Sequence, residues 1–320
     1  MDSTTIQQLY AGNNAVHVFE MMSRDIGLLQ DVVWLPNNDN AAYKSAFTFG
    51  ALELDNVGAG LYGEAAAPLT DSTHIVQTKQ TIEIYKSCVI PTSIYNTAPD
   101  KEQLINQEVG ITAKQVALKG IFTMFNSTFV LGSGIGWDDA YHQTGSDFVI
   151  DAEGAGRAYV DMTNAVTSAW VVHWSPSSAV LGFPGSSPAG VDVGEPMSQI
   201  FMSGGAGTPS TVIPVWWRFA CVAKVPNAVI KIENLDPPVD SSAKVLTKDL
   251  LIKALYLLDG LEGGNISIVA HPTQISTLVS ELSGTSNLIQ SVSSGNALTP
   301  IFSFMGAKLR PCSAIPYVEA

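Results

Sequence analysis

The stretch Pro99–Ser127 (PDKEQLINQEVGITAKQVALKGIFTMFNS) constrains this chain most. Asp100 followed three residues later by Gln103 is a capping-box start, with Pro99 just outside it. Leu104, Ile111, Leu118 and Phe125 recur every seven residues, and Ile105, Val109, Val116 and Phe122 broaden that stripe. The spacing predicts one helix with a wide apolar face. At 1.5 Å per residue it runs about 40 Å, longer than a typical globular helix. Gly110 and Gly120 each cost about 1 kcal/mol relative to Ala, so packing against something large must hold this spine together.

The 320 residues allow one large domain or two smaller ones. Charged residues make up 14% against 46% apolar, a charged share well below that of an ordinary enzyme, which implies that neighbours cover much of the outside. The net charge is −13 and no Lys/Arg cluster occurs, which argues against reading nucleic acid by sequence, since phosphate binding is driven by basic residues releasing counterions. Cys88, Cys221 and Cys312 are odd in number and widely spaced, which fits neither a disulfide framework nor a zinc site and suits a reducing compartment. The N-terminus shows no signal-peptide pattern, and no run of 18 apolar residues is present, so no membrane span is expected.

In chain order, Val16 to Leu29 predicts a short amphipathic helix within an N-terminal arm over 1–40, broken by Pro36 to Asn40. Residues 41–87 contain two strand-like runs flanking a Gly-rich tip (DNVGAGLYGEAAAPLTDS), the pattern of a protruding hairpin or of a loop. Trp170, Val172 and Trp174 fall on one face of a strand. Phe183 to Thr211 is loop-like, with four prolines and six glycines, followed by strands over Val212 to Ile232 and a linker at Asp236-Pro237-Pro238. Thr247 caps a helix that ends at Gly260 or the Gly263-Gly264 pair. A buried strand (Asn265 to Ala270), a helix (Pro272 to Leu282) and further strands complete the chain.

Several motifs suggest chemistry. Gly58, Gly60 and Gly63 spell GxGxxG after a strand, with Glu83 twenty residues beyond, so a nicotinamide-dependent enzyme is the rival of a different class. That reading requires a helix opening at the loop, and Pro68 and the Thr70–Thr73 turn leave no room for one. Asp138, Asp139 and His142 offer three metal donors without a second shell, so a solvated turn explains them better. His173 falls opposite the tryptophans, and His271 marks a strand end before Pro272. The three cysteines have no neighbouring His or Lys to lower a thiol pKa and are expected to be buried filler. Trp216-Trp217-Arg218 is read as sheet core or interface rather than a stacking platform. No catalytic residue, cofactor or metal is assigned.

The order of parts resembles a known family. An arm, a two-stranded loop with a Gly-rich tip and a long helix are followed by TKDLLIKALYLLDGL, GNISIVAHPTQISTL and the Phe304-Met305-Gly306-Ala307-Lys308-Leu309-Arg310-Pro311 segment. This arrangement is similar to the major capsid protein of tailed bacteriophages with the Hong Kong 97-type fold, which encapsulin shells share. The resemblance implies an α+β chain with an N-terminal arm (1–40), an extended E-loop hairpin (41–87), and a peripheral domain (88–245). The peripheral domain would hold the spine helix over 100–127 and a loop-rich insertion near 175–215, with an axial domain over 246–320. It implies that the E-loop tip (Leu54, Val57, Leu61, Tyr62, Glu64 and Leu69) contacts a neighbouring subunit. Implied partners are further copies in hexamers and pentamers, a separate scaffolding protein, a portal, a decoration protein, and double-stranded DNA held without sequence-specific contact. The implied location is the virion, assembled in the bacterial host cytoplasm, with an encapsulin compartment as the second structural reading. In two respects the chain departs from relatives. VIPVWWRFACVAKVPNAVIKI precedes the axial segment instead of following it, and Thr48 to Gln77 contains no Lys for a covalent subunit cross-link.

Overall fold

The computed structural model describes residues 15–23, 26–37, 46–51, 75–126, 136–137, 147–152, 167–184, 188–203, 206–236, 244–258, 261, 263–282, 289–292 and 301–315. A helix over 15–23 (α1) and a 3-10 turn at Gly27–Gln30 lead to strand β1 (Trp34–Asn37). Strands β2 (Ala46–Ala51) and β3 (Ile75–Gln80) form a separate two-stranded antiparallel ribbon, and one residue later β4 (Ile82–Pro91) enters the main sheet. Helices α2 (Thr92–Thr97) and α3 (Lys101–Phe125) follow. Then come β5 (Val149–Asp151), β6 (Thr167–Trp174), β7 (Ala179–Pro184), β8 (Val191–Val193), β9 (Met197–Ser203), β10 (Ala206–Ala223) and β11 (Val229–Leu235). The C-terminal part holds α4 (Lys248–Leu257), β12 (Asn265–Ala270), α5 (Pro272–Leu282), β13 (Ile289–Val292), β14 (Ile301–Phe304) and β15 (Ala307–Pro311).

Thirteen of these strands join in one sheet with the main path β13-β14-β15-β12-β6-β7-β10-β4. Its central strand β6 is buried along its whole length, because strand alternation sends its side chains into two different cores. Trp170, Val172 and Trp174 face the core that also holds α3 and α1. Ala169 and Val171 face a second core with Leu251 and Ala254 of α4 and Ile275 and Leu278 of α5. Segments before and after residue 245 therefore share one sheet, since β6 pairs antiparallel with β12.

The spine helix starts where its cap predicts, with the Asp100 carboxylate accepting the Gln103 amide at 3.0 Å. Its buried stripe agrees with the expected one at Val109, Val116 and Phe125, and Leu104, Ile105, Leu118 and Phe122 pack at its margin. Ile111, however, is half exposed, and Ala113, Ala117, Gly120, Ile121 and Met124 are buried in its place. Small residues occupy the contact because helix and sheet lie so close. A Cβ on Gly120 would sit 2.2 Å from the Trp217 ring, and one on Gly110 would sit 3.2 Å from Met21 Sδ.

Three further differences have physical causes. The region read as loop-like, Phe183 to Thr211, contains β8, β9 and the start of the 18-residue β10. Its prolines stand at strand starts and rims, and pairing between distant segments overrides weak local propensity. The described part of the N-terminal arm is built into the body. Val18, Met22, Leu28 and Leu29 are buried in the α3 core, and β1 runs parallel to β7. Helix α4 has its C-cap at Leu258, short of the predicted glycines. The hairpin tip with Leu54, Val57, Leu61, Tyr62, Glu64 and Leu69 lies outside the described residues.

His271 does more than end a strand. Its ring Nδ1 accepts the Thr273 amide at 3.3 Å and lies 2.8 Å from Thr273 Oγ1, capping α5. A protonated Nδ1 cannot accept that amide, and burial lowers the His271 pKa below its ordinary 6.5. With the folded value depressed, His271 contributes its full stability above pH 6.5, and that contribution is lost as pH falls from there through the folded value. His271→Asn, which keeps a capping acceptor, is expected to flatten this acid loss, whereas His271→Ala lowers stability by about 1 kcal/mol at pH 7.5. Thermal unfolding of the three proteins at pH 7.5 and pH 5 checks both.

Candidate functional site

The residues that suggested chemistry do not assemble into a catalytic centre among those described. Gly58, Gly60 and Gly63, like Asp138, Asp139 and His142, lie outside the described residues. Glu83, the candidate ribose ligand, is paired with Arg218 directly across the β4–β10 ladder, Oε2 to Nε at 2.6 Å. Among the described residues no group of three His, Cys, Asp or Glu side chains is placed to hold a metal. Cys88, Cys221 and Cys312 are buried and outside any disulfide, and burial raises the pKa of Cys88 and Cys312, which keeps them protonated at neutral pH. Trp217 is core, stacked at 4.4 Å on Phe219 with its indole donating to the Ala189 carbonyl at 3.2 Å.

Two polar clusters escaped the sequence reading. At the β6–β7 turn, Ser178 Oγ lies 2.8 Å from His173 Nδ1, 2.7 Å from the His173 carbonyl and 2.9 Å from Ser175 Oγ. Both His173 and Ser178 are buried, so the contact locks the turn and presents no nucleophile to substrate. The second cluster centres on Asp31, 1% exposed, which receives Arg310 through Nε (2.6 Å) and Nη2 (2.8 Å), Lys308 Nζ at 2.6 Å, and Ser267 Oγ at 3.0 Å. Burial pushes the Asp31 carboxyl up, but hydrogen bonds from Arg310 and Lys308 and their positive charge outweigh it and hold the pKa below its usual value. The N-terminal segment is thus clamped to β12 and β15. A groove of about 60 Å³ between α1, the first half of α3 and β8 is far smaller than the roughly 300 Å³ at which cofactor and ligand pockets begin.

What the fold offers instead is surface. On the face of the β4–β10 ladder turned away from α3, Tyr85 stands opposite Trp216 and Ser87 opposite Pro214, and Tyr85 is 71% exposed. Strand β9 pairs with β10 alone among the described strands, and Met197 to Ile200 are all exposed. The β2–β3 ribbon stands apart from the main sheet. Two-stranded ribbons are marginal by themselves in water.

No protein-family model and no curated protein matches the sequence. Solved structures do match. A chain in the near-atomic structure of bacteriophage Epsilon15 aligns over 91% of this chain and 87% of its own, with a TM-score of 0.55 at 15% identity. The bacteriophage JBD30 capsid aligns over 90% of each chain at 9% identity and TM-score 0.47. The SrpI encapsulin of Synechococcus elongatus PCC 7942 covers 66% of this chain and 87% of its own at 9% identity and TM-score 0.44. The architecture is an α+β one built on a long helix against a shared sheet, with a separate two-stranded ribbon. It is the Hong Kong 97-type capsid fold.

Proposed function

We propose that this chain is the major capsid protein of a tailed phage, self-assembling into the icosahedral shell that encloses packaged double-stranded DNA. The observation that carries this reading is the Epsilon15 match, which spans nearly the whole of both chains. The β2–β3 ribbon agrees with it, because it pairs with no other described strand and a two-stranded ribbon is marginal alone, so a second copy could supply its missing layer. The mechanism is geometric. Subunits ring into hexamers and pentamers through heterologous contacts that close on a sphere, and the E-loop tip, including Leu61 and Tyr62, lies across the neighbouring subunit. The DNA is held without sequence-specific contact, in keeping with a net charge of −13. A separate scaffolding protein, a portal and a decoration protein complete the particle, which is built in the host cytoplasm and becomes the virion shell. Purified chain viewed by negative-stain electron microscopy is expected to show closed shells. Shells from the native source are expected to contain DNA and one portal vertex. Shells filled with an enzyme cargo would identify an encapsulin compartment, and a chain that stays a single copy at all concentrations and salt conditions would refute the proposal.

A further inference from the structure

We infer that the free edge of β9 is a contact between copies of this chain, made by adding a strand from the neighbouring copy; the inference rests on the shell reading. β9 is seven residues long and, among the described strands, pairs with β10 alone, on one side. Its other edge carries none of the devices that normally blunt a sheet rim among residues 197–203: no charge, no proline and no bulge in its register with β10. Its exposed side chains are apolar as well as polar, with Met197 at 45% and Ile200 at 69%.

Charge selects the occupant. Residues 196–217 (PMSQIFMSGGAGTPSTVIPVWW) contain no Asp, Glu, Lys, Arg or His, in a chain that carries 29 acidic and 16 basic residues. Copies bearing −13 each repel one another, so identical chains meet at lowest cost where the surface is neutral. A basic partner would find no acid on this ribbon, and an acidic one no base. Backbone amides and carbonyls along a strand edge are, by contrast, complementary to any other edge irrespective of net charge. A second copy is therefore the occupant that fits.

The test uses the full chain in shells and as dissociated subunits. Hydrogen exchange of the 197–203 amides is expected to slow at least tenfold on assembly, and unchanged exchange there would overturn the inference. Ile200→Lys, which places a charge on the neutral edge, is expected to lower shell yield at least tenfold at low salt, with partial recovery at 1 M salt, where the charge is screened. Normal shell yield from this variant would overturn the inference, and the wild-type exchange measurement decides the matter if the variant does not fold. Failure of the wild-type chain to form shells would instead refute the shell reading itself. Slowed exchange produced only by adding a different protein would overturn the second-copy assignment.

Discussion

Gly120→Leu is expected to unfold the core between α3 and β10. Even the first added carbon would lie 2.2 Å from Cζ3 and 2.4 Å from Cε3 of Trp217. The indole cannot swing aside, because it is fully buried, packed on Phe219 at 4.4 Å and tied to the Ala189 carbonyl. Overpacking of this kind costs about 3 kcal/mol or more once the whole side chain must fit. Gly120→Ala sets two effects against each other. Helix propensity gains about 1 kcal/mol, while the clash with a rigid ring costs about 1–3 kcal/mol, so a net loss is expected. Urea unfolding followed by tryptophan fluorescence measures both variants. An unchanged midpoint for Gly120→Leu would show that α3 does not lie this close to β10.

Removing the Asp31 carboxylate is the second large effect. Asp31→Ala leaves Arg310, 8% exposed, without its bidentate partner, and stranding one member of a buried ion pair costs about 3–5 kcal/mol. Lys308→Ala should cost under about 1 kcal/mol, because the Lys308 side chain is 34% exposed and water screens its contribution. The pH dependence has a definite sign. The folded pKa of Asp31 lies below its ordinary 3.8, so the stability it supplies is complete above that pH and disappears as pH falls through the folded value. Thermal melts from pH 5 to pH 2 should show a steeper acid loss in the wild type than in Asp31→Ala. Parallel melting curves would mean that the clamp adds nothing to the fold.

These two sites show where sequence reasoning reaches and where it stops. Asp100 and Thr247 were legible as helix caps because a cap is a contact over three residues, Asp100 to Gln103 and Thr247 to Leu250. The alternation of Trp170, Val172 and Trp174 was legible for the same reason, since a strand repeats every two residues. Asp31 gave no such signal. Its partner Arg310 lies 279 residues away, and nothing near Asp31 in sequence distinguishes it from a surface acid. Ile111 misled in the opposite direction: the heptad made it core, but the sheet presents Trp217 one helix face away, and small residues take the contact.

The candidate surfaces divide in the same way. The neutral run 196–217 is plain in the sequence, yet prolines and glycines pointed to a loop as far as Thr211 and to strand only from Val212. Only the tertiary ladders make it two paired strands, β9 and β10, with β10 also joined to β4 and β8 and β9 paired with no other described strand. The cysteines were legible as inert filler, because a thiol without a nearby base or cation in an apolar run has nothing to activate it.

By itself, then, the amino-acid order determined the longer helices, their caps and the succession of parts that resembles a capsid subunit. All of these depend on interactions within a few residues, or on an order that needs no coordinates. Tertiary structure alone decided which face of the spine is buried, that β6 serves two cores, that Asp31 clamps the N-terminal segment to β15, and that β9 is left with an open edge. Those outcomes depend on which distant strands pair, and pairing energy is shared among many residues that carry no local mark of their partners.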